Sequence, residues 1–569
     1  MTVQPTFDRE FVEAWIADDP EVNDSRELEG LLKLSNDGDD GATAELNDRF
    51  SGMLTFGTAG LRGQLGAGPN RMNRAVVIRA AAGLTAFLRN NLPDGFTVVV
   101  GYDARRGSKE FARDTAAVVE AGGGHAVLFD HALPTPLTAF ALRQLNADAA
   151  VMVTASHNPP QDNGYKVYLG GRAVSDAGQG AQIVAPYDAQ ILEQIVAVES
   201  VASVPRAESG WEYIGDKMLD DYVKRVTEVV PDGPRDLKIV LTSMHGVGGD
   251  PALKVLNACG FNDVTVVAEQ HEPDPDFPTV SFPNPEEPGA LDLAIALAQK
   301  IDADIILAND PDADRSSAAI PDPNSDTGWR QLTGDEVGSL LGLMAANEHA
   351  ATPDGGKDAV LANSIVSSRL LGKIAKARGL QHRNTLTGFK WISRVPGLVF
   401  GYEEAIGYCI DPQYVRDKDG VSAGAKLASY AADLKSKGRS LQDALDDLAK
   451  EFGLHATGPL TIRVEDLSLI ATGMKNLRRD GIAEIAGATV VKAVDLAEGS
   501  DELPPTDGLL YVTERDDRVV VRPSGTEPKL KCYIEVIEPI HEGSVAAARI
   551  RAADRLDEIR ADMRTAMGI

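Results

Sequence analysis

Asp310, Asp312 and Asp314 occupy every second position of NDPDADR, directly after the apolar run ADIILA. Carboxylates spaced this way on a turn at a strand's end can offer several oxygens to one hard cation, and magnesium suits such a set. The plain alternative is a solvated acidic loop. The preceding strand, which fixes the carboxylates in place, favours the cation. D-x-D-x-D also opens an EF-hand calcium loop, but Arg315 stands where that loop needs glycine and Pro321 where it needs a bidentate glutamate.

A second constellation is RPSGT, followed by EPKLK. Arg522, the hydroxyls of Ser524 and Thr526, and Gly525, whose N–H can turn inward, make a compact clamp for a phosphate. A hairpin turn would explain Pro523 and Gly525 but not the basic residues around them. In GYEEAIGY, Glu403 and Glu404 stand where a strand ends and could accept hydrogen bonds from sugar hydroxyls. TFGTAGLRG presents Arg62 between glycines. Packing alone could account for either stretch.

The run MVTASHNPPQDNGYK raises the question of a nucleophile. Turn formers follow a strand-like AAVMV, so Ser156 is expected on an exposed loop at a strand's carboxyl end, where open α/β sheets bind ligands. Taken alone, the serine is adequately explained as a turn hydroxyl bonded to its own backbone. Other motifs fall away. GVSAG at 420–424 matches a nucleophile elbow by letter, but VRDKD precedes it rather than an apolar strand, so Ser422 is expected at a helix start. No GxxxxGK[ST] loop and no GxGxxG spacing occurs.

Strand-like and helix-like segments alternate through most of the chain, which predicts α/β units with largely parallel sheets. FTVVVGYDAR, HAVLFD and AAVMV belong to a first unit, LKIVLTSM, VTVVAE and ADIILAND to a second, and AVLANSIV and LVFGYEEA to a third. Beyond Leu454 the pattern becomes strands with one closing helix near Ala546 to Met567, an α+β layout. The expected domains are 1–204, 205–325, 326–454 and 455–569, and a helical lead-in with a loop is expected before Thr55.

With 569 residues, 43% hydrophobic and 25% charged, the chain is long enough for roughly three to five domains. Lys and Arg number 56 against 85 Asp and Glu, a formal charge of -29 with no basic stripe, so nucleic acid and anionic membranes are excluded as partners. Cys259, Cys409 and Cys532 are too far apart for a zinc site or disulfide framework. They fit a reducing cytoplasm, and no signal peptide or membrane helix is expected.

TASHNP, DPDADR, GYEEAIG and RPSGTEP, in this order, resemble the phosphoserine, metal, sugar and phosphate loops of the α-D-phosphohexomutases (phosphoglucomutase/phosphomannomutase). The resemblance spans roughly residues 55–535, and GYEEAIGY and DKDGVSA resemble the branch containing phosphoglucomutase-2 and phosphopentomutase. It implies a four-domain architecture, three similar α/β domains plus a C-terminal α+β domain around a central cleft. It also implies an intramolecular phosphotransferase that interconverts a sugar 1-phosphate with its 6- or 5-phosphate through a bisphosphate. Glucose is the first expected sugar, with mannose and pentose as alternatives. A sugar-phosphate hydrolase and a non-catalytic sugar-phosphate binding protein are readings of other classes.

By the same resemblance Ser156 carries the phosphoryl group and, with Asp310, Asp312 and Asp314, holds Mg2+. Lys166 is the implied general acid/base, with Arg62 beside the reacting group lowering its pKa, and His157 orients the loop. Arg315, Thr387, Gly388, Lys390, Glu403, Glu404, Lys418, Arg522, Ser524, Gly525 and Thr526 fall at implied substrate contacts. A sugar 1,6-bisphosphate is the implied activator, and the protein is expected as a cytoplasmic monomer or weak homodimer. Ala405 stands where many hexose enzymes of the family carry serine, which removes a hydroxyl contact and leaves the sugar open.

Overall fold

The computed structural model describes residues 4–54, 60–463, 467–500, 503–523, 529–540 and 544–568. By packing, the chain forms two compact units, Met1–Gln331 with Gly407–Ser429, and Leu332–Ile406 with Tyr430–Ile569. Four successive mixed or antiparallel layers of strand and helix give the four-domain α/β architecture, with strand-rich α+β sequence at the end.

The first unit begins with three helices, Arg9–Asp18, Val22–Asn36 and Asp40–Arg49, and contains two sheets. In the first sheet, Thr97–Tyr102 runs parallel to both Ala149–Val153 and His125–Phe129. Ala149–Val153 is buried at every position, as a continuous apolar run in a covered sheet should be. The chain then turns back, and Asp162–Leu169 pairs antiparallel with it. Leu61–Gln64 adds antiparallel to that returning strand and brings Arg62 opposite Gly164.

The second sheet repeats this device. Ile305–Asn309 lies parallel to Ile239–Thr242, and Ser316–Pro321 returns antiparallel beside it. Each sheet therefore carries a turn at the carboxyl end of a buried strand, Ser156 in one and Asp310 to Asp314 in the other. Asp162–Leu169 was not apparent from NPPQDNGYK, because turn formers mask its start.

In the second unit, Val360–Ser364 lies parallel between Gln381–Thr385 and Leu398–Glu403. Helix Leu441–Phe452 shows why such sequence is helical: Leu441, Ala444, Leu445, Leu448 and Ala449 form one buried face. Ser440 and Asp443 close a capping box at its start, and Gly453 (φ 87°) ends it. The last sheet is antiparallel, Leu454–Arg463, Lys529–Glu538, Arg518–Pro523, Leu509–Thr513, Ala488–Asp495 and Glu484–Ile485 in spatial order. Helix Val545–Met567 supplies Ala552, Leu556, Ile559 and Met563 to the core under it. Among the described residues no helix is long and apolar enough to cross a membrane.

Candidate active site

The two turns of the first unit meet. Ser156 has φ 53°, a left-handed conformation that L-residues adopt sparingly, and its Oγ donates to Asp310 Oδ2 at 3.0 Å. Its N–H donates to Thr154 Oγ1 at 2.8 Å, and His157 Nδ1 lies 3.2 Å from Oγ. Ser156 stands at the strand's carboxyl end, as its sequence predicts, but it is only 3% exposed. The expected exposed loop is corrected: the acidic turn of the second sheet covers the serine. Burial, with Arg315 and Arg62 nearby, holds the His157 imidazole well below its usual pKa and so neutral.

Asp310, Asp312 and Asp314 are fully buried, and one oxygen from each lies within 4.8 Å of the others. Thr135 Oγ1 donates to Asp312 Oδ2 at 2.7 Å, and the Arg315 N–H donates to Asp310 Oδ1 at 3.0 Å. Asp312 Oδ1 and Asp314 Oδ1 are buried without a hydrogen-bond donor. Burial, Asp312 and Asp314 together push the Asp310 carboxyl well above the carboxylate range. Crowded acceptors lacking donors are what a hard cation corrects, so this set fits a metal ion.

Lys166 reaches these aspartates from the returning strand, its Nζ 2.8 Å from both Asp312 Oδ2 and Asp314 Oδ2. The sequence predicts that Arg62 lowers its pKa. Here the shift is reversed: burial disfavours the ammonium, but Asp312 and Asp314 outweigh burial and raise the pKa. The same contacts pull Asp314 below its usual range against burial, with Lys418 helping. Arg62 Nη1 instead donates to Asn158 Oδ1 at 3.2 Å, tying the first strand to the Ser156 turn.

Lys418 enters from RDKDG, in the segment that packs with the first unit, with Nζ 3.1 Å from Asp314 Oδ2. Buried carboxylates on both sides anchor it. Asp417 accepts from Tyr168 Oη at 2.6 Å and Gln182 Nε2 at 2.7 Å, and Asp419 accepts from Tyr222 Oη at 2.7 Å. Arg315 Nε lies 3.8 Å from Asp310 and 3.9 Å from Asp314. Ser422 is buried near the start of helix Gly420–Ser436, its N–H donating to Asp419 Oδ1 at 3.0 Å, which fits the rejected elbow.

The second unit holds a separate group. Glu403 Oε1 accepts the Gly388 N–H at 2.6 Å, and Gly388 has φ 110°, which favours glycine. Glu404 Oε2 accepts from Ser364 Oγ at 3.1 Å and Ser367 Oγ at 2.8 Å, serines with no marking signal in NSIVSS. Arg522 Nη1 donates to Thr387 Oγ1. Lys390 Nζ lies over the Trp391 ring, 5.5 Å from its centroid. Ser524, Gly525 and Thr526 lie outside the described residues.

The four domain signatures of one family match in order: phosphoglucomutase/phosphomannomutase alpha/beta/alpha domain I at residues 53–196, domain II at 220–323, domain III at 333–452, and the C-terminal domain at 469–552. The chain belongs to the phosphoglucomutase/phosphomannomutase family. It is a phosphomutase, an isomerase that transfers a phosphoryl group within a sugar phosphate. A Haemophilus influenzae protein named "Probable phosphomannomutase" is 44% identical over 82% of this chain and 93% of its own. The Saccharomyces cerevisiae phosphoribomutase is 36% identical, covering 92% of each. In fold, the chain is similar to a phosphoglucomutase/phosphomannomutase family protein of Burkholderia thailandensis, with TM-score 0.66 and 21% identity over 90% of this chain and 97% of that one.

Within this family fold, sequence reasoning missed Thr135, Ser364 and Ser367, and also Arg105, whose Nη2 donates to the Ser156 and Asn158 carbonyls. Their only signal was position at or just after a strand's end, or at a helix start.

Proposed function

We propose that this phosphomutase interconverts the 1- and 6-phosphates of a hexose, glucose foremost, by way of phosphorylated Ser156. The observation that carries this reading is the Ser156 hydroxyl 3.0 Å from a buried carboxylate triad. Mg2+, held by Asp310, Asp312, Asp314 and a Ser156 oxygen, would neutralise negative charge on the phosphoryl group in transit. The chain's own residues then position and balance. A sugar hydroxyl bonds to phosphorus as the bond to Ser156 Oγ breaks. The hydroxyl loses one proton and Oγ gains one; Lys166, an ammonium at the start, is assigned to give its proton to Oγ and take up the hydroxyl's in return, so each half-cycle is proton-neutral. The resulting bisphosphate returns its other phosphate to Ser156 after reorienting, and added sugar 1,6-bisphosphate re-primes enzyme that has lost its phosphate.

Glu403 is assigned to sugar hydroxyls, Arg315 and Lys418 to the substrate near the triad, and Thr387, Gly388 and Lys390 to its remaining contacts. Ser364 and Ser367 donate to the Glu404 carboxylate and the Glu404 N–H donates back to Ser367 Oγ, which suits Glu404 to shaping the sugar loop. The phosphoribomutase relative favours pentose phosphate as a second substrate. Glucose 1-phosphate, mannose 1-phosphate and ribose 1-phosphate assayed side by side test the reading, and inorganic phosphate as the main product would replace it with a hydrolase. Ala405→Ser restores one hydroxyl. It is expected to shift the ratio of kcat/KM values toward hexose by roughly two- to tenfold, the worth of one neutral hydrogen bond. An unchanged ratio would place specificity elsewhere.

The phosphate not being transferred is assigned to the loop that starts at Arg522. Binding energy remote from the reacting bond can position the sugar, so it helps kcat as well as KM. Removing a charge-assisted partner costs about 1.5 to 3 kcal/mol, so Arg522→Ala is expected to lower kcat/KM by roughly tenfold to a few hundredfold. The variant should also depend more on added glucose 1,6-bisphosphate, because a loosened intermediate escapes. Wild-type kinetics would refute the assignment.

A further inference from the structure

We infer that Arg105 is a positioning residue for the nucleophile, capturing the carbonyls of the Ser156 turn from beneath. This rests on Ser156 as the phosphoryl carrier. Arg105 Nη2 donates to Ser156 O and to Asn158 O, each at 2.6 Å. Its Nη1 donates to Pro159 O at 2.8 Å and Asp162 O at 3.2 Å. One guanidinium thus gathers four carbonyl oxygens from a seven-residue stretch, including that of the nucleophile itself.

The turn needs such a partner. Between Val153 and Asp162 the chain has left the sheet ladder, and two prolines at 159 and 160 remove N–H donors that could close the turn internally. A left-handed Ser156 persists only where its surroundings over-determine it. The planar fork of arginine matches several converging acceptors, and an ammonium's three donors on a flexible stem do not.

Arg105 is itself fixed. Its side chain is 1% exposed, its Nε lies 3.4 Å from Asp103 Oδ2, and its guanidinium stands 5.0 Å from the Phe277 ring centroid. Asp103 in turn accepts from the Arg105 N–H and from Ser108 Oγ. Neighbouring Arg106 is exposed and pairs with Asp276, so adjacent arginines in one motif have unrelated tasks. Arg105 lies under the turn and has no contact with the sugar in this assignment.

Arg105→Met and Arg105→Lys in the full-length chain separate positioning from mere support of the fold. Circular dichroism and thermal melting first establish the folded fraction. Per folded molecule, with glucose 1-phosphate and ribose 1-phosphate as probes and saturating glucose 1,6-bisphosphate, Arg105→Met is expected to lose roughly 100-fold in kcat while KM moves by less than about threefold. Phosphorylation of Ser156 by glucose 1,6-bisphosphate, followed by intact-protein mass, should slow in proportion, and Arg105→Lys should recover only part. In that reaction Oγ loses its proton and bonds to phosphorus while the released sugar oxygen takes a proton up. A kcat within about threefold of wild type in either folded variant would overturn the inference, since small misplacements of a nucleophile are costly. So would a loss explained entirely by a smaller folded fraction, or failure of both variants to fold. Failure of the phosphoserine reading is distinguishable, because it would appear as an active Ser156→Ala enzyme.

Discussion

Ser156→Ala is expected to lower kcat by at least about 10⁴-fold, as removal of a covalent nucleophile does in other enzymes. Intact-protein mass spectrometry of the wild type should show a phosphorylated fraction that is absent from the variant. The fold should survive, because the change removes one oxygen from a turn whose backbone is held by Thr154, Arg105 and the returning strand. What is lost is a hydroxyl placed 3.0 Å from Asp310 and 3.2 Å from a neutral imidazole. A variant retaining full turnover would end the phosphoserine mechanism, and a phosphorylated fraction persisting in it would move the modification to another residue.

Chelation is expected to reduce turnover on the order of 10³-fold, with Mg2+ restoring it best among divalent cations, since a hard cation supplies several kcal/mol of charge stabilisation to a phosphoryl group in transit. The electrostatics favour a metal cation in addition to Lys166 and Lys418. A phosphoserine adds about -1.5 to -2 charges at neutral pH. It would stand beside three buried carboxylates, two of which have an oxygen lacking any donor. Asp312→Asn keeps the size of the side chain but removes one charge, so kcat should fall far more than sugar affinity. Binding shows itself independently of activity: Mg2+ should raise the melting temperature of the wild type and raise that of Asp312→Asn less. Chelator-insensitive turnover would sink the metal assignment.

Much of this site was legible without a structure because its chemistry is local. ADIILA reads as a buried apolar strand, and NDPDADR after it puts carboxylates at that strand's carboxyl end. The run AAVMV likewise announced the buried strand before Ser156, and GVSAG preceded by VRDKD lacked the strand an elbow needs. The proposed phosphate clamp rests on residue type alone, and Ser524, Gly525 and Thr526 fall outside the described residues.

The order of four motifs, the acidic character and the alternation of strand with helix are properties of neighbours along the chain, and the sequence alone determined them. Tertiary structure decided which distant groups share a place and therefore what charge each carries. Ser156 and Asp310 are 154 positions apart, Lys166 and Asp312 are 146, and Arg105 and Ser156 are 51. Lys166 looked like a lysine to be discharged by Arg62. It is an ammonium held between two aspartates because the strand after the prolines turns back against Ala149–Val153 and carries it to the second sheet's acidic turn. Arg105 and Arg106 are indistinguishable in GYDARRGS, yet one is buried against the Ser156 turn and the other lies in solvent. Coulomb interaction and desolvation depend on distance and burial in space, and spacing along the chain fixes neither.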